Sequence, residues 1–141
     1  VMVFWKDITD FSLPLRFQIP RGYCEYGKSS QFNLIYLEVA DQNFTQWFRE
    51  LENKLLEGKE PLDSRIKENT LHVKYVDGFT QVFDDANKFL LDYEGNFVNC
   101  DLDCLLEIDK VYGPMKDTGT YGITCKIFQV RVLPRIEACL F

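Results

Sequence analysis

Apolar and polar residues alternate in twos along much of this chain, and in one place the spacing changes to that of a helix. In QFNLIYLEV (residues 31 to 39), Ile35, Leu37 and Val39 share one face, and Leu34, Tyr36 and Glu38 share the other. In TLHVKYV (70 to 76), Leu71, Val73 and Tyr75 oppose Thr70, His72, Lys74 and Val76. The cleanest alternation is VNCDLDCLLEIDKVY (98 to 112). Val98, Cys100, Leu102, Cys104, Leu106, Ile108 and Tyr112 fall on its apolar side, and Asn99, Asp101, Asp103, Glu107 and Asp109 on its polar side. Each reads as a strand with one buried and one wet face. NFTQWFRELENKLLEG (43 to 58) instead puts Phe44, Trp47, Phe48, Leu51 and Leu55 on one helical stripe. Asn43 is placed as its N-cap with Gln46 in capping-box position, Glu50 and Lys54 pair across a turn, and Gly58 stops the helix.

The remaining segments connect these elements. Pro14 and Pro20 break the opening twenty residues into edge strand and connector. RGYCEYGKSS (21 to 30) reads as a loop or hairpin tip, and KEPLDSRIKEN (59 to 69) as a polar excursion. Asp77-Gly78 is a turn signal. FTQVF and NKFLLDY read as two strands around Asp84, with a short helix from Asp84 to Leu91 as the alternative. GPMKDTGTYG (113 to 122) is a long hairpin loop.

GTYGITCKIFQVRV (119 to 132) does not sort. Tyr121, Ile123, Cys125, Ile127, Gln129 and Arg131 share one face, and Gly122, Thr124, Lys126, Phe128, Val130 and Val132 the other. A strand buried on one side sorts its residues more cleanly than this. Taken together, the pattern gives a mainly β chain with one amphipathic helix, and a small OB-like barrel is the architecture that fits. The helix comes earlier than in a simple OB domain, so the barrel is an elaborated one. Residues 1–141 form one such domain at this length.

Composition narrows the class. Aromatics make up 15% of the chain, with Phe 12 and Tyr 7, as β-rich domains favour. The net charge of −6 argues against attachment to nucleic acid by bulk charge, but leaves room for a local basic groove. Cys24, Cys100, Cys104, Cys125 and Cys139 are odd in number and form no compact framework, which points to a reduced, intracellular setting. No apolar run reaches transmembrane length, and no signal peptide opens the chain.

Several groupings carry candidate chemistry. Rings and cations interleave: Arg16, Phe17, Arg21, Tyr23, Tyr26 and Lys28, then His72, Lys74 and Phe79, then Tyr112, Met115, Lys116, Tyr121, Lys126, Phe128 and Arg131. Single-stranded nucleic acid needs flat rings under its bases and cations at its phosphates. The carboxylates Asp101, Asp103, Glu107 and Asp109 could instead hold Mg²⁺ for phosphoryl chemistry, and a solvated strand face is the plainer explanation. Cys100 and Cys104 would stand about 13 Å apart on a straight strand, too far for one zinc ion. His72 is the only histidine, and no phosphate loop, HExxH or GxSxG is present. No metal or cofactor is expected.

LPLRFQIPRGYCEYG (13 to 27), the strand and helix that follow, and CLLEIDKVYG…YGITCKIFQVRV (104 to 132) resemble, in that order, a family of proteins of large DNA viruses. Its pattern opens with P-L-x-x-Q-x-P and an aromatic-Gly tip, and closes with a glutamate strand and G-[IV]-x-W-K-x-x-Q-[VIL]-x-V. Gln18, Pro20, Gly27, Glu107, Gly122, Lys126, Gln129 and Val132 match, while Cys125 stands where the pattern favours Trp. The resemblance spans most of residues 11 to 133 and implies an OB-fold single-stranded-DNA-binding protein of a viral replication machinery.

The expectation is therefore a non-catalytic single-stranded-DNA-binding protein, with RNA as an alternative ligand. Its site residues would be Arg16, Phe17, Arg21, Tyr23, Lys28, His72, Lys74, Lys116, Tyr121, Lys126, Phe128 and Arg131. The loop 113 to 122 would act as a flexible clamp. A viral origin would place it in the host cytoplasm or nucleus, with self-association or replication proteins as further partners. A protein-interaction or scaffold domain is the competing expectation, and a Mg²⁺-dependent nuclease using Asp101, Asp103 and Glu107 is a third.

Overall fold

The computed structural model describes residues 3–135. Val1, Met2 and the segment 136–141, including Cys139, lie outside the described residues. A single 3-10 turn, Trp5–Asp7, is followed by β1 (Leu15–Gln18), β2 (Gly22–Cys24), β3 (Leu34–Glu38), α1 (Gln42–Leu56), β4 (Ile66–Lys67), β5 (Thr70–Lys74), β6 (Gln81–Phe83), β7 (Cys100–Ile108), β8 (Val111–Tyr112), β9 (Gly122–Ile123) and β10 (Lys126–Pro134).

β1 and β2 run one after the other along the same partner. Leu15 to Gln18 pair antiparallel with Leu105 to Ile108, and Gly22 to Cys24 with Cys100 to Leu102. Pro20 sits at the break between them, where its missing N–H costs no ladder bond. The pair thus acts as one bent strand. Residues 22–24 are strand rather than hairpin tip, because Tyr23 also pairs with Glu38 of β3.

The ring then closes. β3 pairs antiparallel with β5, β10 pairs antiparallel with β7, and the seam is the parallel contact of Lys126 with Lys74. Counting the bent strand once, the chain passes around the barrel in the order first, second, third, fifth, fourth and back to first. Only the third and fifth of these ring strands are parallel. This is the closed Greek-key barrel of the OB type. The helix lies between the second and third barrel strands, which is the elaboration expected from its early position. β6 adds to β10 outside the ring, and β8 and β9 pair as a small hairpin of their own.

The core follows the alternation. Ile35, Leu37, Val39, Leu71, Val73, Leu102, Cys104, Leu106 and Ile108 are all buried. From α1, Phe44, Phe48, Leu51 and Leu56 join them. Each fully buried side chain of this size is worth about 1.5–3 kcal/mol, so the helix is held by its stripe rather than by propensity. Its cap is Asp41, not Asn43: the Asp41 carboxylate accepts from the Asn43 and Phe44 N–H groups at 2.9 and 3.3 Å. At the other end Glu57 takes the left-handed conformation, and the Gly58 N–H returns to the Asn53 carbonyl.

The unsorted stretch has a mechanical explanation. β10 carries a bulge: Ile127 faces Leu106, but Gln129 faces Leu105, leaving Phe128 as the extra residue. A bulge flips the face of every later residue. Ile123, Cys125 and Ile127 are therefore buried before it, and Val130 and Val132 after it. Lys126 and Phe128, on one face by simple counting, and Arg131, on the other, all lie outside.

Other segments depart from the sequence pattern. Residues 59–69 contain β4, and Ile66 is buried. Residues 87–93 are neither strand nor helix. The Asp84 carboxylate accepts from the Ala86 and Lys88 N–H groups at 2.9 and 2.8 Å and folds the chain back, leaving only an isolated Phe83–Phe89 bridge. Val98 is exposed, since β7 begins at Cys100.

Candidate nucleic-acid interface

Two outer surfaces of the barrel carry the rings and cations, and they differ in electrostatics. The first is the outside of β1, β2, β7 and β10. Here every β7 carboxylate is already engaged. Asp101 receives Arg135 at 2.9 Å. Asp103 receives both Arg21, at 2.9 and 3.1 Å, and Arg131. Glu107 receives Arg16 at 2.7 Å and Lys126 at 3.2 Å. Lys126 also reaches Asp109 at 3.4 Å. Rings support the cations from below: Arg16 lies 3.9 Å from the Phe128 centroid, Arg135 3.7 Å from Tyr23, and Lys126 4.3 Å from Phe79. Arg21 and Arg131 hold the Asp103 carboxyl below the usual carboxylate range. The face is a ladder of satisfied charge.

This arrangement overturns the metal reading of Asp101, Asp103 and Glu107. Carboxylates already neutralised by guanidinium or ammonium groups within bonding distance hold little net negative charge to gather a further cation. Among the described residues, no group of three or more His, Cys, Asp or Glu is placed to hold a metal ion.

The second surface is the outside of β3 and β5. Cross-strand register puts Tyr36 opposite His72 and Leu34 opposite Lys74. The Tyr36 and His72 rings meet edge to face, 4.6 Å between centroids, and Tyr36 is 39% exposed. Lys74 points outward beside them. Two loops flank this face. Residues 25–33 join β2 to β3 and carry the exposed rings Tyr26 and Phe32. Residues 109–125 join β7 to β10 and contain the β8–β9 hairpin. The first loop is pinned at Gly27, which has a φ of +78° and lies so close to the Asn96 carbonyl that a Cβ would meet it at 2.6 Å. The next N–H, of Lys28, donates to that carbonyl at 2.6 Å.

Between β5 and the hairpin runs a groove lined by Arg65, His72, Lys74, Lys110, Tyr112, Thr124 and Lys126, with Asp109 as its carboxylate. Asp109 is itself committed to the Thr124 hydroxyl and to Lys126. Among the described residues, neither Lys74 nor Lys110 has an ion-pair partner. Burial lowers the His72 pKa, and the nearby Lys67 and Arg65 charges lower it further. An acidic chain thus carries a cationic groove beside a pair of rings.

The structure distributes the sequence-derived site residues unevenly. His72 and Lys74 lie on the β3–β5 face, and Lys126 at its seam with the ion-pair ladder. Arg16, Arg21, Tyr23, Phe128 and Arg131 lie on the ladder, and Tyr23 donates its hydroxyl to Asn99 at 2.7 Å. Phe17 is 0% exposed and packs edge-on against Trp47 at 5.3 Å, so it is core and not a stacking ring. Lys28 sits 4.4 Å from the Tyr75 ring. Lys116 is exposed on the hairpin loop. Tyr121 is fastened rather than free: its N–H donates to the Pro61 carbonyl and its carbonyl accepts from Asp63. The 113 to 122 clamp is therefore tied down at that end. Tyr36, Arg65 and Lys110 were absent from the sequence-derived set. Alternation already placed Tyr36 on the outward face of its own strand, but only cross-strand pairing shows that it touches His72.

No protein-family model matches the chain, and no curated protein does. Among solved structures, gp2.5, a single-stranded DNA binding protein encoded by bacteriophage T7, is similar with a TM-score of 0.59. The match covers 89% of this chain and 91% of that one at 12% sequence identity. At that identity the likeness shows the fold.

Proposed function

We propose that this chain is a non-catalytic protein that binds single-stranded DNA across the outer face of β3 and β5. One observation carries the reading. The barrel face that OB proteins use for oligonucleotides, on the second and third strands between two flanking loops, here bears exposed rings and unpaired cations on a chain of net charge −6. Bases would stack on Tyr36 and His72, with Tyr26 and Phe32 at one end and Tyr112 at the other. Phosphates would meet Lys74 and Lys110. Stacking is tolerant of sequence because every base has a flat face, so the protein would hold a strand without reading it. The likeness in fold to a phage single-stranded-DNA-binding protein, and the resemblance to the viral family, support a place in viral DNA replication or repair. RNA would compete to the extent that the same rings and cations accept it.

Photocrosslinking with a halogenated-uracil single strand, followed by peptide mapping, tests the placement. Adducts on peptides containing Tyr36, His72 or Tyr112 are expected. Adducts confined to residues 15–24 and 126–135 would move the site to the ion-pair ladder and sink this reading.

A further inference from the structure

The long connection from β6 to β7, residues 84–99, supplies no ring or cation to the site described above. Its final residues nevertheless lie against the loop that carries two of the site's rings. That loop, 25–33, holds Tyr26 at 81% and Phe32 at 60% exposed. It is fastened at three places. At its start the Glu25 carbonyl accepts from the Asn99 N–H at 3.3 Å. In its middle the Lys28 N–H donates to the Asn96 carbonyl at 2.6 Å, beside the close approach at Gly27. At its end the Asn33 carbonyl accepts from the Tyr75 N–H at 2.8 Å.

Phe97 ties these three points together. It lies between Asn96 and Asn99 in sequence, is 1% exposed, and sets its ring against those of Tyr75 and Tyr93 at 5.7 and 5.1 Å. The Lys28 ammonium lies 4.4 Å from the same Tyr75 ring. The Asn96 side-chain oxygen accepts from the Val98 N–H at 3.1 Å and closes a turn over Phe97. The φ of Phe97 is +67°, a conformation rare for a bulky residue. Such a conformation persists only where the surroundings over-determine it, and it is concentrated where position matters to function. Rings on a fixed loop lose little freedom when a base stacks on them, whereas rings on a loose loop must be ordered first.

We propose that residues 93–99 form a seat that holds the 25–33 loop in its binding position, with Phe97 as the positioning residue for Tyr26 and Phe32. The seat deepens the single-strand reading: its effect on binding rests on that reading, and its hold on the loop does not.

Two variants loosen the seat from opposite sides. Phe97→Leu removes the ring from between Tyr75 and Tyr93, and Gly27→Ala drives a Cβ against the Asn96 carbonyl. Amide hydrogen exchange and single-strand anisotropy are measured for each, alone and combined with Tyr26→Ala and Phe32→Ala. Exchange at the Lys28 N–H is expected to quicken while the amides paired between β3 and β5 stay protected, the sign that the barrel is intact. Strand affinity is expected to fall about three- to tenfold with the salt slope unchanged, and to fall no further where Tyr26 and Phe32 are already Ala. Unchanged Lys28 exchange in both variants overturns the seat. Faster exchange with undiminished affinity, a changed salt slope, or an affinity loss that persists in full without the two rings overturns the positioning role of Phe97. If the wild type binds no strand, the single-strand reading falls and the positioning role with it, and the exchange result alone decides whether 93–99 holds the loop.

Discussion

Removing one cation from each outer face should change binding on one face and not on the other. Lys74→Ala deletes an exposed ammonium with no ion-pair partner among the described residues, on the face that would meet phosphates. Arg21→Ala deletes an exposed guanidinium already bonded twice to Asp103, at 2.9 and 3.1 Å. Each phosphate neutralised on a single strand contributes a slope of about −0.7 to log K against log salt. If Lys74 and Lys110 each meet one phosphate, the slope is about −1.4, and affinity falls roughly 7-fold between 50 and 200 mM salt. Lys74→Ala should reduce the slope to about −0.7, and the same salt step should then cost roughly 3-fold. Arg21→Ala should leave the slope unchanged, because that cation releases no counterion on binding when Asp103 already neutralises it. Anisotropy titrations of a labelled single strand over a salt series read both slopes. If Arg21→Ala flattens the slope as much as Lys74→Ala, the division into a neutralised face and a binding face is wrong.

Other consequences follow from particular contacts. Tyr36→Ala should weaken single-strand binding by about 1–3 kcal/mol with little effect on the salt slope, measured in the same titrations, since it removes a ring and no charge. Asp103→Ala leaves Arg21 and Arg131 without their shared carboxylate, and should lower unfolding free energy in urea by about 0.4–2 kcal/mol, two largely exposed pairs at roughly 0.2–1 each; no measurable loss would show that the ladder does not hold the fold. Because the folded pKa of Asp103 is depressed, its contribution is full above the ordinary carboxylate range and is lost as pH falls through the folded value, which acid titration of stability in wild type against Asp103→Asn would show. Asp41→Ala should cost about 1 kcal/mol of stability and Asn43→Ala close to nothing, as thermal melts would establish. The folded pKa of His72 is also depressed, so its neutral form contributes stability above its ordinary value, and that contribution is lost as pH falls through the folded value. Phosphates nearby would favour the protonated ring, so single-strand affinity should rise as pH falls through that range in wild type and stay flat in His72→Phe.

The periodic parts of the fold were legible in the chain. Alternation gave the inward faces of β3, β5 and β7, and helical spacing gave the buried stripe of α1, because both depend on burial alone. What failed depended on partners distant in sequence. Residues 22–24 become a strand only because β7 and β3 lie on either side of them. The stretch 119 to 132 looked unsorted because one extra residue at Phe128 changes the parity, and nothing in the local pattern marks a bulge. The same gap explains the site. His72 and Lys74 were visible as polar residues on a strand's wet face, but Phe17 shared the composition of a stacking ring and proved to be core. The acidic row of β7 left a metal site open beside the plainer solvated face, and the arginines of β1 and β10, with those beside β2 and beyond β10, occupy it.

The account stands most directly on whether the protein prefers a single strand. Fluorescence anisotropy with one labelled oligonucleotide, offered as single-stranded DNA, as matched duplex and as RNA over a salt series, measures this. The account predicts saturable binding to the single strand, weaker binding to the duplex, and affinity that falls with salt. Equal binding to strand and duplex, or none to any of the three at low salt, would contradict it and leave the OB barrel as a statement about fold.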